Sequence, residues 1–174
     1  MRTYEDVVAE LYQAPHGAFV QERKRLATEL KAGGDKAGAT RLGKLSRPTI
    51  SAWVVNQLWW HARDAFDELF ETADRLRAGD HHANPAHRDA LTRLRARAAR
   101  LLEDGGHAAT ESTLRRVAQT LAALAVTSTW DPDLPGALVA DRDPPGFEAL
   151  GIANVPVTAE PPADDLAEAR RAQA

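Results

Sequence analysis

The chain has 174 residues, 44% hydrophobic and 27% charged, a formal net charge of −3 and no cysteine. That length suits one domain with a real core. The missing cysteine excludes disulfides, thiolate catalysis and cysteine-ligated zinc or iron–sulfur centres. Ala and Leu dominate the apolar set, which favours helices over strands. The charge is uneven: residues 20–50 carry eight Lys/Arg against three Asp/Glu, and residues 129–174 carry three against nine.

Met1-Arg2-Thr3-Tyr4-Glu5-Asp6 places acidic residues where a signal peptide needs an apolar run. No 18 apolar residues occur in succession, so the expected location is the cytoplasm, with no membrane partner. A first helix is expected over Tyr4–Gln13, capped by Thr3, with Val7, Val8, Leu11 and Tyr12 inward. Pro15 and Gly17 break it. A second helix runs from about Gly17 to Ala32, burying Phe19, Val20, Leu26, Ala27 and Leu30, and ends at Gly33-Gly34.

Asp35 can cap a short third helix to Leu45. A fourth, capped by Ser46 with Pro48 in its first turn, is the expected centre of the fold. Its apolar residues recur at three and four from Ile50 to Leu76, predicting one helix over about 47–78. The first half is apolar almost all round, so other helices should surround it. Asn84-Pro85 opens a fifth helix to about Glu103, and Thr110 or Ser112 caps a sixth to about Ser128. The expected fold is all-α: a single helical bundle of about six helices over 1–128. A Pro/Gly-rich segment, 129–155, would dock on it through Phe147, Leu150 and Ile152. An acidic tail, 156–174, closes the chain as expected from its low apolar content.

Few residues invite chemistry. Gly38-Ala-Thr-Arg-Leu-Gly43-Lys44 lacks both the final Ser/Thr and the preceding strand of a phosphate-binding loop. Asp80, His81, His82, His87 and Asp89 have metal-ligand chemistry, but adjacent histidines point apart and no further ligands accompany them, so no metal is expected. No nucleophile elbow and no inward carboxylate pair is present, so neither a catalytic residue nor a cofactor is expected. The stripe Arg93, Arg97, Arg100 reads as a solvated face.

Residues 35–56 are more informative. A short helix, a turn near Gly43 and then Ser46-Arg47-Pro48-Thr49-Ile50-Ser51 resemble a helix-turn-helix. Arg47, Thr49 and Ser51 could reach bases, with Lys24, Arg41 and Lys44 on the backbone. Against that stand a late helix start and Trp53-Val54-Val55 with Trp59-Trp60, which make the helix a core element. Asn56-Gln57 interrupts that apolar face and must find buried partners, most simply a loop pinned to the helix. A polar cluster of Arg23, Arg47 and Asn56 is the expected candidate binding site.

The pattern Phe19-Val20-x-x-Arg23-Lys24-x-Leu26-Ala27, Gly34-Asp35-Lys36, Leu45-x-Arg47-Pro48-Thr49 and Ala52-Trp53-x-x-Asn56-Gln57-Leu58, with Pro145-Gly146-Phe147, resembles an uncharacterised family of bacterial helical proteins from high-GC genomes. No activity or ligand comes with the resemblance. It implies that Arg23, Arg47, Pro48, Trp53 and Asn56 act together. The functional expectation is a non-enzymatic module binding a protein partner, with a DNA-binding regulator using 35–56 as the alternative.

Overall fold

The computed structural model describes residues 2–144. Phe147, Leu150, Ile152 and the acidic stretch 156–174 lie outside the described residues. Seven α-helices and no strand occur in the described part: α1 (Tyr4–Gln13), α2 (Phe19–Ala32), α3 (Lys36–Gly43), α4 (Ile50–His61), α5 (Arg63–Arg77), α6 (Asn84–Asp104) and α7 (Glu111–Thr127). Several starts follow local capping chemistry. Thr3 and Asp6 form a reciprocal capping box on α1, Asp35 accepts from the Gly38 N–H at 2.8 Å, and Thr110 caps α7. A side chain at Gly38 would collide with the Asp35 carboxylate. The glycine of the phosphate-loop lookalike therefore makes room for a helix cap.

Two expectations about the centre of the fold need correction. The fourth helix starts at Ile50 with Thr49 as its cap, and Leu45–Thr49 is non-helical, so Ser46 caps nothing. The expected continuous helix over 47–78 is two helices that break at Ala62, where φ is −133° and ψ 41°. Neither Pro nor Gly marks the break. Its cause is tertiary. In a straight helix Trp59 and Phe66 would sit about 10 Å apart along the axis. The break brings their rings to 5.4 Å, and both pack on Trp130, at 5.2 and 5.5 Å. The carbonyls freed at the end of α4 find guanidinium donors. Arg63 Nε donates to the Trp59 carbonyl at 3.1 Å, and Arg97 donates to the His61 carbonyl at 2.9 Å.

The helices enclose two apolar clusters. The larger is built from α4–α7 with Trp130 and Leu138. The smaller joins Val7, Val8, Leu11 and Tyr12 of α1 to Phe19, Leu26 and Leu30 of α2, Leu42 of α3 and Ala137. Val20, expected inward, is 39% exposed. Helix α4 packs on α1, α6 and α7, and every residue from Ser51 to Leu58 is buried.

Polar groups of α4 join the two clusters. Trp53 Nε1 donates to the Ala14 carbonyl at 2.9 Å and Gln57 Nε2 to the Tyr12 carbonyl at 2.8 Å, so the end of α1 is tied to α4. Asn56 Nδ2 donates to the Leu138 carbonyl at 3.0 Å, and Asn56 Oδ1 accepts from the Leu138 N–H at 2.8 Å. Both Asn56 and Leu138 are wholly buried. The side-chain amide thus satisfies both backbone polar groups of one residue, as a neighbouring strand would.

Asn56→Ala should cost on the order of 3 kcal/mol, because it strands a buried N–H and carbonyl together. Trp53→Ala should cost on the order of 3–5 kcal/mol through the cavity and the unpaired Ala14 carbonyl. Urea unfolding followed by far-ultraviolet circular dichroism measures both, and a loss below about 1 kcal/mol for Asn56→Ala would show that the loop is held elsewhere.

Candidate functional site

The residues expected to form one polar cluster make separate attachments. Arg23 Nη1 donates to the Leu45 carbonyl at 2.6 Å, just past the end of α3. Asn56 is spent on Leu138. Arg47 is exposed, and no hydrogen bond among the described residues links the three. The loop-pinning role of Asn56 is realised. Other members of the resemblance pattern act on the same region. The Pro48 carbonyl accepts from His16 Nε2 at 2.9 Å; a carbonyl can only accept, so Nε2 carries the proton. Trp53 holds the Ala14 carbonyl.

The helix-turn-helix reading meets a different geometry. The start of α4 is covered by the 137–142 segment: the Thr49 N–H donates to the Val139 carbonyl at 3.1 Å. Ser51 Oγ and Thr49 Oγ1 donate to Asp141 Oδ1 at 2.5 and 3.0 Å. The two hydroxyls proposed to reach bases are therefore committed to a carboxylate, and that carboxylate stands where a phosphate would have to approach. Sequence reasoning did not single out Asp141, because only folding brings it across some ninety residues to Ser51. Arg41 is also engaged, its guanidinium 4.2 Å from the Tyr4 ring centroid. Of the six proposed contacts, Lys24, Lys44 and Arg47 stand exposed, with no side-chain partner among the described residues.

The two kinds of cation are used differently. Arginines tie down carbonyls at helix ends: Arg23 past α3, Arg63 and Arg97 at α4, and Arg77 on the Ala125 and Val126 carbonyls of α7. Others form ion pairs. Arg93 meets Glu68 and Asp89, Arg95 meets Glu111, and Arg2 and Arg25 share Glu10 and Glu29. Two of the Arg93, Arg97, Arg100 stripe are thus internal ties. The candidate metal residues are similarly employed. Asp80 pairs with Arg75, and His87 Nδ1 bonds Thr72 Oγ1 at 3.0 Å.

The lysines make no such ties. The chain has four, Lys24, Lys31, Lys36 and Lys44, and all fall on the α2–α3 hairpin. Each is exposed, and none forms an ion pair among the described residues. A shallow groove of about 400 Å³ separates the helices, lined by Ala27, Thr28 and Lys31 on α2 and by Lys36, Ala39 and Thr40 on α3. Lys24 lies one turn from Thr28 on α2, a span of about 10 Å from Lys24 to Lys31, and Lys44 follows the last residue of α3. The acids of α2 engage Arg25 instead. The result is a groove with a small-residue floor and a lysine rim. The signal was in the sequence: the lysines are confined to 24–44 of a chain otherwise rich in arginine.

Comparison with protein-family models, with curated proteins and with solved structures finds no match to this chain.

Both tyrosines line one cleft between α1, α3 and the 132–139 segment. Burial, reinforced by the nearby Asp133 carboxylate, pushes the Tyr12 hydroxyl up to about 12. Its pKa when unfolded is about 10. The buried neutral phenol therefore stabilises the fold fully below about pH 10 and loses that contribution as the pH rises towards 12. In an ultraviolet titration at 295 nm, Tyr12 should ionise together with unfolding, and Tyr12→Phe should shift the alkaline unfolding midpoint upward. A phenol that ionises reversibly near pH 10 with the helices intact would contradict its burial.

Proposed function

We propose that this protein is a non-enzymatic helical interaction module whose α2–α3 face binds an acidic segment of a partner protein. The observation that supports this is the concentration of every lysine on one hairpin, without an ion pair among the described residues, while arginines close the helix ends. Lysine is a flexible, hydrated point charge, suited to meeting carboxylates along an extended segment without a fixed geometry. The groove floor of Ala27 and Ala39 lets a backbone approach between the two rims. No helix among the described residues is long and apolar enough to cross a membrane, and we place the module in a bacterial cytoplasm, following the resemblance.

A DNA-binding role is the weaker reading. A helix buried from Ser51 to Leu58 has no free face to lay in a groove, and Asp141 guards its start. Of the six proposed contacts only Lys24, Lys44 and Arg47 would remain to hold nucleic acid, through phosphates and without base readout.

Fluorescence anisotropy with a labelled oligo-glutamate peptide and with random duplex DNA, each across a salt series, separates the two. The peptide should bind, and Lys24→Glu with Lys44→Glu should weaken it at least about tenfold while the helical signal is unchanged. Duplex DNA binding more tightly than the peptide at equal salt would transfer the function to nucleic acid. Binding of neither would remove the face as a site.

A further inference from the structure

Three large hydrophobic side chains of the described surface are exposed: Val20 at 39%, Val126 at 49% and Leu134 at 45%. Single exposed apolar residues are ordinary. Leu134 differs from the two valines because it borders a cleft. The space, about 340 Å³, is walled by Val8 and Ala9 of α1 and by Trp60, Leu134 and Pro135, with Glu5 and Asp6 as its charged lining. That volume falls in the range of side-chain and small-ligand pockets.

The wall carrying Leu134 is held firmly. Trp60 Nε1 donates to the Gly136 carbonyl at 3.2 Å, and the Ala137 N–H donates to the Leu134 carbonyl at 3.0 Å. Gly136 has φ +76°, and a side chain there would fall within 2.5 Å of both Trp59 and Trp60. Two residues on, Leu138 is gripped by Asn56. Leu134 is therefore presented by a fixed loop rather than left out by a slack one. Presenting an apolar side chain beside a preformed cleft lowers the ordering cost of binding.

Charge decides what fits. Both charged residues of the lining are acids from the first turn of α1. Asp6 is committed to the Thr3 N–H at 2.9 Å, whereas the Glu5 side chain is exposed and makes no hydrogen bond or ion pair among the described residues. A mostly apolar lining that includes one exposed carboxylate without a partner among the described residues complements an apolar side chain followed by a cation. We propose that this cleft is a second docking site, separate from the lysine face, that takes a leucine–arginine type segment of a partner protein.

Anisotropy with a fluorescein-labelled Gly-Arg-Leu-Leu-Arg-Gly peptide tests it on the full chain. Controls replace the leucines by serine or the arginines by glutamate. The parent peptide should bind and both controls should fail. Leu134→Ser and Glu5→Lys should each weaken binding about fivefold or more, a change of about 1 kcal/mol. Both positions are exposed, and thermal melts of the variants serve as the folding control. Lys24→Glu with Lys44→Glu should leave this binding intact, so failure here is distinct from failure of the lysine face. The proposal is overturned if the parent peptide does not bind at millimolar concentration, or if binding ignores both cleft variants. A concentration-dependent dimer in light scattering that Leu134→Ser abolishes would also overturn it, by making the occupant a second copy of the chain.

Discussion

The pairing of Asn56 with both backbone polar groups of Leu138 is the contact on which the arrangement of surfaces depends. An extended segment that crosses a helical bundle brings N–H and carbonyl groups into an apolar interior, and each must be satisfied. Here one side-chain amide satisfies both groups of one residue. With Leu138 seated, the flanking residues are positioned: Ala137 in the smaller cluster, Gly136 against two tryptophans, Val139 on the Thr49 N–H and Asp141 on Ser51. The same anchored segment covers the start of α4 on one side and presents Leu134 on the other.

Helix α4 is polar along the contact with α1 because it joins two apolar clusters rather than lying in one. Trp53 and Gln57 donate to carbonyls at the C-terminal end of α1, which an apolar neighbour would leave unpaired. The arginines extend this logic across the molecule. Guanidinium groups, with several donors in a rigid plane, suit carbonyl groups at helix ends. Lysine is a poorer choice there, and the chain places its lysines on the solvent side of one hairpin.

The two proposed surfaces thus differ in chemistry as well as position. One is a lysine-rimmed groove with a small-residue floor, and the other a mostly apolar cleft whose charged lining is acidic. A protein partner with an acidic stretch and an apolar-basic stretch could use both at once. Simultaneous engagement would raise the apparent affinity far above that of either contact alone.

The capped starts of α1, α3 and α7, the inward stripe of α1 and the all-α class were determined by the sequence, because capping side chains and three-four spacing act over a turn or two. The sequence also required Asn56 to have a buried partner, although it could not name Leu138. The break at Ala62 was decided by tertiary structure alone: the apolar spacing runs through it unchanged, and only the packing of Trp59 and Phe66 on Trp130 favours the bend. The fate of Thr49 and Ser51 was decided the same way. Their spacing suits a recognition helix, and nothing local reveals that a carboxylate from Asp141 will occupy them. Local chemistry sets which groups need partners; the distant segment that supplies each partner is chosen only when the chain closes on itself.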